Sequence, residues 1–278
     1  MSRISDVFRK SLGEGRAALI GFLTGGDPNL VLSRRFCEAV IDGGVDVLEL
    51  GVPFSDPVAD GVTIQASTYR ALAAGVKLSD ILKLADELEK SRNIPVVLLS
   101  YMNPIYRFGV KRFLQEAASS GVDGLVVPDL PVEEADELID GARDVGIDTI
   151  FLASPTTTDE RLEKILRAST GFVYLVSLLG VTGVRGALSA EGLELLERVK
   201  SKRARPYAAI GFGVSQPEHV MALSERGAEG VIVGSALVKI VEENLGNPNK
   251  AEELLRRFTA ALREACWGYR KYLSLHRP

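Results

Sequence analysis

The sequence is poor in the side chains that most often do chemistry. Its 278 residues include only 2 cysteines and 2 histidines, and Cys37, Cys266, His219 and His276 stand far apart along the chain. That scarcity excludes a disulfide framework and a CxxC site. It also removes Cys/His clusters for a metal and most Ser/His/Asp nucleophilic chemistry. Positive charge is not in excess either: 33 basic against 37 acidic side chains leave a net charge of -4, which offers no footprint for nucleic acid. No apolar run approaches the ~18 residues that cross a bilayer. The stretch Met1 to Lys10 has no signal-peptide core and carries an acid early, so no membrane role is expected and a cytoplasmic location is.

Short runs rich in Val, Ile and Leu are plentiful. They occur at Ala18 to Leu23, Val45 to Gly51, Pro95 to Tyr101, Gly124 to Val127, Asp148 to Ala153, Phe172 to Ser177, Tyr207 to Gly211 and Gly230 to Val233. They are continuous rather than alternating, the pattern of parallel strands buried on both faces. Segments of helical spacing separate them, among them Leu78 to Leu88 and Glu191 to Val199, and glycines that suit left-handed helix C-caps precede many strands (Gly43-Gly44, Gly121, Gly146, Gly171, Gly227). Eight such units with no linker or composition shift predict a single (β/α)8 TIM barrel domain over 1–278. A doubly wound open sheet is the alternative, but Thr24-Gly-Gly-Asp-Pro28 after the first strand is not the GxGxxG that fold would place there. Two additions are expected: an N-terminal helix around Ser5 to Leu12, suited to plugging the barrel bottom, and a long helical tail from Lys250 to Tyr272.

Barrel enzymes work at the C-terminal ends of their strands. There, Glu49 interrupts the apolar run Val47-Leu48-Glu49-Leu50, and alternation puts it on the face of Val47, toward the barrel mouth. A buried Glu could serve only to bond backbone groups, but an unpaired buried carboxylate is costly and argues for chemistry. The loop after it holds Asp56 and Asp60, stiffened by Pro53 and Pro57. Acids in loops are ordinarily just solvated; Asp60 gains weight from its small neighbours Ala59 and Gly61. After the last two strands come Gly211-Phe-Gly-Val-Ser215 and Gly234-Ser-Ala-Leu-Val238, which suit a phosphate seat of backbone N–H donors at a helix N-terminus. Leu178 to Gly186 is long and Gly-rich, as a lid would be.

No lysine lies in a strand or at its C-terminal end, which disfavours a Schiff-base aldolase. No cluster exists for a catalytic metal. Proton transfer by carboxylates on a phosphorylated small molecule survives. Phe22, Leu99, Tyr101, Tyr174 and Phe212 at the strand tops would make the mouth greasy, raise the pKa of Glu49 and favour an aromatic substrate.

These segments resemble a known family. Leu48-Glu-Leu-Gly-Val-Pro-Phe-Ser-Asp-Pro-Val-Ala-Asp-Gly61 closely resembles the signature of the tryptophan synthase alpha family, and so do Gly21 to Pro28, Pro128 to Glu134, Gly180 to Gly183, Gly211 to Gly213 and Gly234 to Ile240. The resemblance implies reversible retro-aldol cleavage of indole-3-glycerol phosphate to indole and glyceraldehyde 3-phosphate. It also implies no cofactor or metal in this chain, and a beta-subunit partner that holds pyridoxal phosphate within an alpha2beta2 complex. By the same resemblance Glu49 is the general acid/base and Asp60 holds the indole N–H. Thr182 and Gly183 belong to the lid. Phe22, Leu99, Val126, Tyr174 and Phe212 cage the indole; Gly183, Gly213, Gly234 and Ser235 seat the phosphate; and the loop with Pro53 and Asp56 faces the partner. Leu178-Leu179 departs from the arginine and small residue of many relatives, and Pro128 from a smaller residue. The same site residues would serve a stand-alone lyase that releases free indole. A catalytically idle activator of a beta subunit is the alternative from another class.

Overall fold

The structure, a computed structural model, describes residues 2–176, 190–202, 205–211 and 213–275. Its strands are β1 (Ala18–Thr24), β2 (Val47–Gly51), β3 (Val96–Leu99), β4 (Val122–Val126), β5 (Asp148–Ile150), β6 (Leu152–Ala153), β7 (Phe172–Val176), β8 (Tyr207–Gly211) and β9 (Gly230–Val233). All pair in parallel, in the order β5-β4-β3-β2-β1-β9-β8-β7-β6. The two edge strands of that order, β5 and β6, follow each other directly in the chain, so the sheet closes into a barrel and the open doubly wound alternative fails.

β5 and β6 are two halves of one stave, broken at Phe151, whose N–H donates to Ser169 Oγ (3.3 Å). The carbonyls of Thr149 and Phe151 accept from Thr170 and Tyr174 (2.8 and 3.0 Å), which joins this stave to β7 and completes eight staves. The eight expected runs thus all form strands, one of them interrupted.

The helices outside the barrel begin with α1 (Arg3–Glu14), α2 (Leu30–Asp42), α3 (Val62–Ala73), α4 (Leu78–Arg92), α5 (Met102–Phe108) and α6 (Val110–Ser119). They continue with α7 (Asp136–Val145), α8 (Asp159–Ala168), α9 (Ala190–Lys200), α10 (Pro217–Glu225), α11 (Ser235–Glu243), α12 (Pro248–Ala265) and α13 (Tyr269–Leu275). The expected tail is therefore two helices joined by a 3-10 turn, Cys266–Gly268. The bend sits where a Cβ on Gly268 would come within 2.8 Å of the Met221 carbonyl, an approach that only glycine allows. Of the Gly43-Gly44 pair, Gly44 takes the left-handed conformation (φ 103°), whereas Gly43 keeps right-handed helical angles.

Two apolar layers follow from strands buried on both faces. The outer layer lies between strands and helices. The inner one fills the barrel with Ile20, Val47, Val97, Ile150, Phe172 and Ile232, and α1 adds Ile4 and Phe8 from below. α1 starts at an N-cap Ser2, whose hydroxyl accepts from Ser5 N–H (3.2 Å), and ends at left-handed Gly15. Its buried residues Ile4, Phe8 and Ser11 recur at helical spacing. Phe8 stacks on Phe172 and Tyr207 with ring centroids 5.5 and 5.0 Å apart, so the N-terminal helix does plug the bottom. No helix among the described residues is long and apolar enough to cross a membrane.

Candidate active site

At the upper end of the barrel one pocket gathers nine of the fourteen site residues expected from the sequence. Phe22, Glu49, Asp60, Leu99, Val126, Tyr174, Gly213, Gly234 and Ser235 line it together. Phe22 comes from β1, Glu49 from β2, Leu99 from β3, Val126 from β4 and Tyr174 from β7. In register, Glu49 lies between Phe22 and Val97 on the neighbouring strands. Glycines make room for the aromatic wall: a Cβ on Gly51 would meet the Phe22 ring at 2.7 Å, and one on Gly211 would meet the Tyr174 hydroxyl at 2.5 Å. Thr182, Gly183 and Phe212 lie outside the described residues.

Glu49 is 1% exposed, and neither of its carboxyl oxygens has a hydrogen-bond partner among the described residues. Burial without a partner disfavours the charged form. Desolvation first, then the nearby Asp60 charge, push its pKa up to about 8. The greasy mouth thus acts on Glu49 in the direction the sequence predicts. Asp60 sits less deeply. Desolvation raises it to about 6, while a hydrogen bond from the Tyr101 hydroxyl holds it back. At neutral pH the pair therefore divides into a mostly protonated Glu49 and a mostly ionised Asp60, two carboxyls with two roles set by their surroundings. Both charges also push the buried Tyr174 hydroxyl well above its ordinary pKa, after burial itself.

Tyr101 is the residue whose part the sequence understates. It reads there as one more apolar strand top, yet its hydroxyl accepts from Ala59 N–H (3.0 Å) and bonds Asp60. It thereby ties the carboxylate loop to β3. Gln65 adds a second tie by donating its side-chain amide to the Asp60 carbonyl (2.8 Å). The signal for Tyr101 is only its place just past a strand, since its target lies 42 residues away. Ile64, Pro128, Leu152, Ser215 and Ile232 also line the pocket, and Pro128 finds its place there as part of the rim beside Val126.

In the same pocket, α11 starts at Gly234 with no side-chain cap, unlike α2, α8 and α12, which Asn29, Thr158 and Asn247 cap. Uncapped N–H groups at a helix N-terminus suit an anion. Gly213, held at φ 74°, and Ser215 add the facing loop. The pair expected to face a partner lies elsewhere. Pro53 borders a separate groove with Phe54, Asn103, Pro104 and Phe108, and Asp56 is exposed, its carboxylate accepting from Ser55 Oγ (2.6 Å). No group of His, Cys, Asp and Glu among the described residues is placed to hold a metal ion.

An apolar cavity with a protonated acid, a nearby carboxylate and an anion seat fits an aromatic phosphate ester whose bonds break by proton transfer. A family model described as tryptophan synthase alpha chain matches residues 8–266. A Methanoregula boonei protein named tryptophan synthase alpha chain is 51% identical over 265 residues, 95% of this chain and 98% of that protein. One from Methanopyrus kandleri is 47% identical over 272 residues, 98% of each. A chain of the tryptophan synthase a2b2 complex from Pyrococcus furiosus superposes with a TM-score of 0.83 at 48% identity, covering 89% of this chain and 98% of that one. A chain of Mycobacterium tuberculosis tryptophan synthase does so with 0.86 at 35% identity, covering 96% and 99%.

Proposed function

This chain belongs to the tryptophan synthase alpha chain family, and we propose on that footing that Glu49 and Asp60 divide the acid–base work of its reaction. The activity is that of a carbon–carbon lyase: cleavage of indole-3-glycerol phosphate to indole and glyceraldehyde 3-phosphate in tryptophan biosynthesis. The chain needs no cofactor of its own; pyridoxal phosphate belongs to the beta subunit with which it works.

Indole leaves poorly as a carbanion and well once its C3 carries a proton. Protonated Glu49 donates to C3, and positive charge develops at the ring nitrogen. Ionised Asp60 accepts a hydrogen bond from that N–H and stabilises the charge in a site with little water to screen it. Glu49, now a carboxylate, takes the proton of the glycerol hydroxyl next to the bond. The hydroxyl oxygen becomes the aldehyde oxygen, the C–C bond breaks, and its electrons restore the aromatic ring. Glu49 ends protonated, ready for the next turnover.

Phe22, Leu99, Val126 and Tyr174 cage the indole, while Gly213, Gly234 and Ser235 hold the phosphate through backbone donors and one hydroxyl. Thr182 and Gly183 as lid residues and Phe212 as a cage residue complete the assignment from sequence alone. The observation that carries the reading is the buried carboxyl of Glu49, without a partner among the described residues and close to Asp60. One domain over 1–278 and a cytoplasmic location belong to the same proposal; the free thiols of Cys37 and Cys266 fit a reducing compartment.

The test is to incubate the purified protein with indole-3-glycerol phosphate, with and without a beta subunit, and to follow indole. Slow release alone and faster release with the partner are expected. No release under either condition overturns the reading, and release that the partner does not accelerate favours the stand-alone lyase. The loop with Pro53 and Asp56 is proposed as the route of that activation, since it joins the Glu49 strand directly to Asp60. Asp56→Ala should then lower the fold-activation more than the basal rate; equal fold-activation in both forms refutes the route.

A further inference from the structure

α3 carries the Asp60 loop at its N-terminus, yet it is gripped unlike the helix that follows it. α4 buries Ile81, Leu82, Leu84, Ala85 and Leu88; α3 buries only Ser67, Thr68 and Ala71. Directional polar contacts replace the missing apolar grip. Ser67 Oγ and Thr24 Oγ1 share a buried hydrogen bond of 2.6 Å, which ties α3 to the end of β1 just past Phe22. One turn on, Arg70 reaches two further elements. Its fork donates to both carboxylate oxygens of Asp27 at 2.7 and 2.8 Å, and its third nitrogen reaches Glu242 on α11 at 3.2 Å. Asp27 is only 5% exposed, and its loop is anchored to α2 by the bond from Gly26 N–H to Ser33 Oγ (2.8 Å).

These three elements carry the three parts of the site. The β1 end brings Phe22, α3 brings Asp60 and Ile64, and α11 brings Gly234 and Ser235 at its N-terminus. We infer that Arg70 is a positioning residue: by bridging Asp27 and Glu242 it fixes the distance between the carboxylate end of the pocket and its phosphate end. This rests on the function proposed above. Non-directional apolar packing lets a helix slide by fractions of an ångström, whereas a bidentate guanidinium–carboxylate pair holds both distance and angle. A ligand that spans the pocket needs that spacing; a ligand that occupies one end does not.

The experiment measures binding of indole, of glycerol 3-phosphate and of indole-3-propanol phosphate, which joins the two ends, to the full chain and to Arg70→Ala, Arg70→Lys and Glu242→Gln. For Arg70→Ala the expected result is roughly tenfold weaker binding of the joined ligand, with each fragment within about twofold of the parent, and a lower kcat/KM for cleavage. Arg70→Lys keeps the charge without the fork and should fall between. Glu242→Gln, at a half-exposed site, removes the charge of only the α11 arm; it should shift the joined ligand in the same direction and decides the matter if Arg70→Ala does not fold. Equal losses on all three ligands would mark a purely structural role and overturn the inference, as would unchanged binding of the joined ligand. A parent protein that fails to bind the joined ligand overturns the proposed function itself.

Discussion

Asp46 and Glu229, near the lower end of the barrel, and Glu49, at the upper end, are acids with opposite surroundings. At the lower end Asp46 is held by Arg16 (2.8 Å) and also pairs with Arg263, and it accepts from Leu19 N–H as well. Glu229 meets the fork of Arg205 at 2.7 and 3.1 Å and accepts from Ala208 N–H. At the upper end Glu49 is buried more deeply than either, with no partner among the described residues. The paired acids meet Arg16, Arg263 and Arg205 around the barrel bottom; burial without a partner raises the pKa of Glu49, which keeps its proton at neutral pH and is costly to hold. For these three acids the difference separates a structural part from a chemical one: the paired two hold the fold, and the unpaired one is available to a substrate.

The comparison breaks most visibly at Glu49. Glu49→Gln keeps shape and removes the transferable proton, so lyase turnover should fall by at least ~10²–10⁴-fold. Stability should move the other way. A carboxyl whose folded pKa is raised binds its proton more tightly in the folded state, so between 4.5 and about 8 it costs stability progressively as pH rises. The variant escapes that cost. Its melting temperature should match the parent near pH 4 and exceed it near pH 8, and near-normal turnover or a lower melting point at pH 8 contradicts the assignment.

At the other end the signs reverse. Phe8→Ala empties a stacked, fully buried site and should cost ~3–5 kcal/mol in chemical denaturation, while the folded fraction turns over substrate at the parent rate. Loss of activity in fully folded protein would mean that the ends are not independent.

The pH profile sharpens the contrast without any mutation. If Asp60 works ionised and Glu49 protonated, kcat/KM should be bell-shaped, with the pair titrating near about 6 on the acid side and about 8 on the alkaline side. A profile flat from 5 to 9 denies the division of roles. The smallest expected effect is at the anion seat. Ser235→Ala leaves the backbone donors of α11 and should weaken substrate binding by about 1 kcal/mol, seen in KM rather than kcat. A fall in kcat as large as that of Glu49→Gln would give the hydroxyl a different job.

Much of this was legible along the chain, and the reason is local. Continuous apolar runs mark strands buried on both faces, period-two alternation aims Glu49 at the face of Val47, and the Gly-Ser step at Gly234 marks the start of α11. Each depends on residues a few positions apart, so the sequence alone points to the barrel, to Glu49 at its mouth and to the start of α11. The tertiary structure alone decides what depends on distant partners. Phe151 breaks its stave because Ser169 takes its N–H, Gly268 bends the tail because the Met221 carbonyl crowds it, and Tyr101 becomes a polar anchor because the Asp60 loop folds onto its hydroxyl. Arg70 likewise reads as an ordinary helical cation until folding brings Asp27 and Glu242, 43 and 172 residues away, to the two sides of its guanidinium. Hydrogen bonds are short-ranged and directional, so their partners exist only once the chain has closed on itself.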